Sequence, residues 1–202
     1  MRVLITGFGP FPGAPFNPSA LLVKAVARRR RPALADIELV THVFATSYAA
    51  VDRDLPKLMA RQPDVVLLFG LAGRRRHLCI ETRARNAVTL LFPDADRHKP
   101  QHGVIAAEAP SSRSGNAPFM RMLGAARGRF PAHLSRDAGR YLCNYVYWRA
   151  LQRAQDDRPL VQFIHIPPVR IGPRRPGKQR RPSFAELVRA AEAILVALKA
   201  AV

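Results

Sequence analysis

Cysteine is scarce, with Cys79 and Cys143 the only two thiols in the chain. Two are too few for a disulfide framework or a cysteine-based zinc site, so either one matters as a thiol if it matters at all. Long apolar runs are also missing. None nears the roughly 18 residues that span a bilayer. The stretch after Met1 is too brief for the core of a secretory signal, and the expectation is a cytoplasmic protein with no membrane partner. Acidic residues are few, 14 against 33 Lys and Arg, which leaves a formal charge of +19. Such a field attracts polyanions. The positive residues are spread through Arg28–Arg31, Arg74–Arg76 and Arg174–Arg181, and Ala and Arg are used heavily throughout. A compositional bias can produce this charge without selection for nucleic acid and is the favoured reading, with a nucleic-acid partner as the alternative. Basic and aromatic residues do not interleave as on a single-strand stacking platform, and no DNA-binding motif is present. The six histidines show no metal-ligand spacing. The phosphate loops G-x-x-x-x-G-K-S/T and G-x-G-x-x-G are absent too, which disfavours a nucleotide site.

What is there suits one folded domain. The chain has 202 residues, 48% of them apolar and 23% charged, enough to build a sizeable core. Val3-Leu-Ile-Thr reads as a buried strand running into the Gly- and Pro-rich stretch from Gly7 to Gly13, and Asn17-Pro18 then supplies a helix start. Strands are expected over Ile37–Val43, Asp64–Phe69, Leu78–Ala84 and Leu160–Ile164, with helices over about Asp54–Arg61, Pro118–Arg127 and Cys143–Ala154. The continuous apolar run after Asp64 suits a central strand covered on both faces. Between about Leu90 and Gly115 periodicity is lost, and an irregular excursion is expected there. Arg170–Pro182 reads as a basic, Pro-rich loop. Ser183-Phe-Ala-Glu186 has capping-box spacing ahead of an amphipathic C-terminal helix. This alternation predicts a three-layer α/β/α sandwich with a mixed, mainly parallel central sheet, whose ligands bind beyond the carboxyl ends of strands.

Three residues are candidates for chemistry. Cys143 lies where a turn at Gly139 gives way to a helix, and the positive end of a helix dipole favours both a thiolate and an oxyanion. Taken alone, a cysteine between Leu142 and Tyr145 equally suits inert packing. His165 follows an apolar strand and precedes two prolines, which places an imidazole near a strand end, either as a general base or in a local hydrogen bond. Glu81 can orient such a histidine, or pair with Arg83 or Arg85. Cys79 falls within a strand and reads as structural. Phe8 and Phe11 suit one apolar wall of a small-molecule pocket, or the core.

Four segments together resemble the pyroglutamyl-peptidase I, or pyrrolidone-carboxylate peptidase, family of cysteine omega-peptidases. They are Val3-Leu-Ile-Thr-Gly-Phe-Gly-Pro-Phe-Pro-Gly with Asn17-Pro-Ser; Gly70-Leu-Ala-Gly-Arg leading to Glu81 and Asn86; Ala138-Gly-Arg-Tyr-Leu-Cys-Asn; and Phe163-Ile-His-Ile-Pro. Their order and spacing match over almost the whole chain, so residues 1–202 are expected to form a single domain of this kind. The resemblance implies a triad of Cys143 as nucleophile, His165 as base and then acid, and Glu81 as orienter. It further implies an N-terminal pyroglutamyl substrate held by Phe8, Phe11, Asn17, Leu71, Tyr141 and Leu142. It implies no metal or organic cofactor, and assembly as a homo-oligomer. Two departures mark a divergent member: Leu71 stands where the family usually has Gln, and Leu91 where it has an arginine thought to help the oxyanion region. Two alternatives follow, an amidase of altered specificity and a catalytically silent basic protein that binds nucleic acid.

Overall fold

The computed structural model describes all residues except 12, 29–30, 155–157 and 173–181. Its elements, in chain order, are β1 (Arg2–Phe8), α1 (Pro18–Arg28), β2 (Glu38–Phe44), α2 (Tyr48–Met59), β3 (Val65–Leu71), β4 (Leu78–Glu81), β5 (Arg83–Arg85), β6 (Ser112–Ser114), α3 (Phe119–Arg127), β7 (Ala132–Ser135), α4 (Leu142–Arg153), β8 (Leu160–Ile166) and α5 (Phe184–Lys199). Six strands form the central sheet in the order β2-β1-β3-β8-β4-β7, while β5 and β6 form a separate two-stranded ribbon. All neighbours in the sheet are parallel except β4 and β8. This is the mixed, mainly parallel sheet that the strand–helix alternation predicts.

Strand alternation distributes the core between two faces. Val3 and Ile5 of β1, Val65, Leu67 and Phe69 of β3, and Ile164 and Ile166 of β8 pack with α1, α3 and α5. Leu4 and Phe8, Val66 and Leu68, and Val161 and Phe163 face the other way, onto α2 and α4. Helix α5 fills its side with Leu187, Val188, Ile194, Leu195 and Leu198, all buried. Each such side chain contributes about 1.5–3 kcal/mol against the entropy of ordering the chain. The helix starts at a complete capping box, in which Ser183 Oγ accepts from the Glu186 N–H and the Glu186 carboxylate accepts from the Ser183 N–H.

Three boundaries differ from the sequence reading. Helix α2 begins at Tyr48, six residues before Asp54, because Ser47 caps it and the distant Asp94 carboxylate accepts the Tyr48 N–H at 3.0 Å. Pro56 lies inside that helix and does not open it. The stretch Leu78–Ala84 is two strands: Thr82 leaves β4 by donating its N–H to Ser135, and Arg83–Arg85 turns away to pair with Ser112–Ser114. The excursion from Leu90 to Gly115 therefore ends in a short strand. Strand β8 also runs past Ile164 to Ile166, so His165 is its penultimate residue. Most of the basic Arg170–Pro182 loop, including the Arg174–Arg181 cluster, lies outside the described residues, as do Arg29 and Arg30.

Candidate active site

Because β1, β3 and β8 are parallel, their carboxyl ends meet at one edge of the sheet and deliver Phe8, Leu71 and His165 together. Strand β4 runs antiparallel to β8, with Cys79 opposite His165 and Glu81 opposite Phe163. Leu78 and Ile80 point to the α1/α3/α5 face. Alternation therefore turns Glu81 to the opposite face, where it reaches His165 along the cross-strand diagonal. The Glu81 carboxylate is fully buried and lies 2.8 Å from His165 Nδ1. Neither arginine considered as its partner reaches it. Arg83 Nε donates to the Arg136 carbonyl, and Arg85 faces Asp137 at 3.7 Å. Tyr147 Oη and Gln162 Nε2 both donate to the Glu81 carbonyl, each at 2.9 Å, which fixes the backbone that carries the carboxylate.

Cys143 comes to this place on the first turn of α4. Gly139 takes φ +81°, a left-handed conformation that favours glycine, and its N–H donates to the Asp137 carboxylate. Arg140 accepts the Thr89 N–H, and Tyr141 Oη donates to the Pro93 carbonyl, so the loop entering α4 is held from both sides. No side chain caps α4. Its first backbone N–H groups have no partner within the helix and point toward the cysteine end. Asn144, the next residue, is buried and staples the helix to β5: its Oδ1 accepts from Arg85 N–H at 2.8 Å, and its Nδ2 donates to the carbonyls of Arg85 and Ala87. Gly70 completes the approach. A Cβ built on it would lie 2.7 Å from Cys143 Sγ and 2.6 Å from the Phe163 ring, so only glycine lets β3 and α4 come this close.

The electrostatics follow from burial and charge. Burial alone pulls the His165 pKa down, but hydrogen bonding and charge interaction with Cys143 and Glu81 outweigh it and raise the value to about 9. At neutral pH the imidazole holds its proton beside the thiol. Cys79 differs. It is fully buried, and although His165 lies opposite it across the strands, burial pushes its thiol pKa up while Arg75 Nη1 donates to its sulfur at 3.0 Å.

A cavity of about 290 Å³ opens onto Cys143 and His165 and is lined by Phe8, Phe11, Asn17, Leu71, Tyr141 and Leu142. All six residues implied as substrate contacts thus come together. Asn17 directs its polar atoms into its own loop, donating to the Gly9 carbonyl and accepting from the Ser19 N–H and hydroxyl. Glu81 lies behind His165. Leu91 is 74% exposed and outside the pocket wall. The sequence reading missed Thr46, Arg75, Asp137 and Arg140, which also line the cavity. Thr46 donates to the Gly9 carbonyl and shapes the same loop as Asn17. Arg75 stands among so many arginines that nothing in the sequence separates it, whereas Arg140 lies within the motif that carries Cys143. Among the described residues, no group of three or more His, Cys, Asp or Glu side chains is placed to hold a metal ion. No helix among them is long and apolar enough to cross a membrane.

A half-exposed thiol at a helix N-terminus, beside an imidazole oriented by a buried carboxylate, is the arrangement with which cysteine hydrolases form acyl-enzymes on an α/β scaffold. The family model of pyroglutamyl peptidase matches residues 1–202, and the chain belongs to that family. It is 31% identical over 171 residues to pyrrolidone-carboxylate peptidase of Thermococcus kodakarensis, covering 83% of this chain and 81% of the relative. The Vibrio vulnificus pyrrolidone-carboxylate peptidase is 32% identical over 168 residues, covering 82% and 78%. Among solved structures, a variant pyrrolidone carboxyl peptidase from Pyrococcus furiosus superposes with a TM-score of 0.86 at 26% identity, covering all of both chains. The Thermococcus litoralis pyrrolidone carboxyl peptidase gives 0.85 at 27% identity, over 98% of this chain and 93% of that one.

Proposed function

We propose that this protein is a cysteine omega-peptidase that hydrolyses the amide bond after an N-terminal pyroglutamyl residue, with Cys143 as nucleophile, His165 as acid and base, and Glu81 as orienter. Membership of the pyroglutamyl peptidase family gives the reaction. The observation that carries the residue roles is the approach of Cys143 and His165 on one largely apolar pocket, with the Glu81 carboxylate buried behind the imidazole. The compact, uncharged lactam suits walls made by Phe8, Phe11, Leu71 and Leu142, with backbone groups left to read its amide edge.

The Cys143 sulfur, its proton held by His165, adds to the pyroglutamyl carbonyl. The negative oxygen that forms is stabilised by unpaired N–H groups at the start of α4. The C–N bond then breaks as His165 passes its proton to the departing amine, leaving a thioester on Cys143. His165 next takes a proton from water, the hydroxide adds to the thioester carbonyl, and collapse returns the proton to sulfur and releases pyroglutamate. Glu81 holds the Nδ1 side of the ring throughout, so that Nε2 faces the reaction.

Cys143 is preferred to Cys79 because Cys79 is sealed from the pocket. Hydrolysis of a fluorogenic pyroglutamyl amide by the reduced protein, beside Cys143→Ala and Cys79→Ser, tests the assignment. The expected outcome is turnover by the parent and Cys79→Ser and none by Cys143→Ala; undiminished turnover by Cys143→Ala would exclude the mechanism.

A further inference from the structure

On the peptidase reading, the pyroglutamyl ring sits in the catalytic cavity of about 290 Å³ and the rest of a peptide substrate continues over its rim. Two further cavities abut it there. One, of about 440 Å³, shares Phe11 and Leu71 with the catalytic pocket and is walled by Pro15, Phe16 and Val169, with Phe16 50% exposed. The next, of about 600 Å³, shares Gly73 and Pro168 with that apolar section. Its lining carries Arg74, Arg75, Arg76 and Arg129, and Arg75 also lines the catalytic pocket. The three cavities therefore form one trough around the loop that follows β3.

Charge is distributed unevenly along this trough. Among the described residues, the apolar section contributes no charged side chain, whereas the last section sets four guanidinium groups against a single carboxylate, Glu186. That carboxylate is engaged by the Ser183 N–H and hydroxyl in the cap of α5. Arg75 is half-buried and donates to Cys79, but Arg74, Arg76 and Arg129 are exposed and have no acidic partner among the described residues. Clustered guanidinium groups in a concavity focus a positive field and offer paired N–H donors that fit carboxylates.

We propose that this trough binds the substrate chain beyond the scissile bond and selects pyroglutamyl peptides with an apolar residue next to the pyroglutamyl group and acidic residues after it. The inference rests on the peptidase reading of the catalytic pocket. An extended chain advances about 3.3–3.6 Å per residue. The residue after the pyroglutamyl group then meets Phe16 and Val169, and the following ones come level with the arginines. A basic peptide meets like charge in the same place. An acidic peptide is favoured over a nucleic acid because the arginines are continuous with the catalytic pocket and reached from it through an apolar section, which has no use for a sugar-phosphate chain.

The test compares pyroglutamyl-Leu-Asp-Glu, pyroglutamyl-Leu-Asn-Gln and pyroglutamyl-Leu-Lys-Lys with a pyroglutamyl coumarin amide too short to reach the arginines. At about 0.05 M salt the acidic peptide should exceed the neutral one in kcat/KM by about tenfold or more, mainly through KM, and the basic one should be poorest. Raising salt to about 0.5 M should erase most of this difference. Replacing the three exposed residues together (Arg74→Gln, Arg76→Gln and Arg129→Gln) should erase it at low salt while turnover of the coumarin amide persists. Equal kcat/KM for the three peptides, or a preference that survives the triple substitution, overturns the proposal. So does salt-sensitive binding of a DNA duplex that needs the same arginines, with no discrimination among peptides. A folded protein silent on the coumarin amide would refute the peptidase reading instead. In that case fluorescence anisotropy of labelled acidic and neutral peptides on the Cys143→Ala protein still decides whether the trough discriminates.

Discussion

Replacing Glu81 by glutamine keeps the shape of the side chain and removes the charge behind His165. The acceptor-only carboxylate gives way to an amide that can turn its N–H groups toward Nδ1 and favour the wrong tautomer, and kcat/KM is expected to fall about 10²- to 10⁴-fold. A pH profile separates this role from a merely structural one. With the His165 pKa raised to about 9, kcat/KM of the parent should decline on an alkaline limb near pH 9 as His165 loses its proton. Loss of the neighbouring charge should move that limb to lower pH. The sign for stability follows from the same shift. The folded value exceeds the ordinary 6.5, so the contribution is complete below about pH 6.5 and is lost as pH climbs through about 9. Urea unfolding at both ends of that window should show the loss, smaller in Glu81→Gln. Gly70→Ala makes a different point. Its new Cβ would press on Cys143 Sγ and the Phe163 ring. An overpacking cost of about 1–3 kcal/mol in thermal unfolding is expected, together with a loss of turnover from the displaced sulfur.

At the scale of elements, two of the asparagines in the family motifs, Asn86 and Asn144, act as staples. Asn86 donates to the carbonyls of Ala106 and Ala109 and accepts from the N–H groups of Ile105 and Ala106, which gathers the long excursion into a shaped loop. Asn144 does the same between α4 and β5. Asn144→Ala leaves buried backbone groups unpaired and should cost about 1–3 kcal/mol in chemical denaturation, with weakened turnover because α4 carries the thiol. Elements defined by local pattern were legible in the sequence: β1, β3, the capped α5, and the turn into the Cys143 helix. Elements defined by distant partners were not. The start of α2 depends on Asp94, 46 residues away. The break after Glu81 depends on Ser135 and on the pairing of β5 with β6. The candidate triad stood out only because separate motifs resemble one family. Strand parity explains its geometry but cannot be read until the antiparallel register of β4 and β8 is known. Arg75 reaches the pocket from a loop whose composition announces nothing, and the contacts of Asp137 and Arg140 follow only from the fold of the turn into α4.

For the whole molecule, the order β2-β1-β3-β8-β4-β7 places the last strand of the chain at the centre of the sheet. Glu81 and His165 are 84 residues apart in sequence, and Cys143 precedes the strand that brings His165 to it. In refolding experiments, turnover should therefore return no earlier than burial of Trp148, which is fully buried on the same helix as the thiol; recovery of activity before that fluorescence change would show that the site assembles independently. The same arrangement bears on synthesis. A nascent chain still missing β8 presents a thiol with neither its proton acceptor nor a finished pocket, so the emerging polypeptide carries no armed nucleophile among other unfinished chains. Strand β8 joins the two halves of the sheet, and on the proposed mechanism its insertion completes the site.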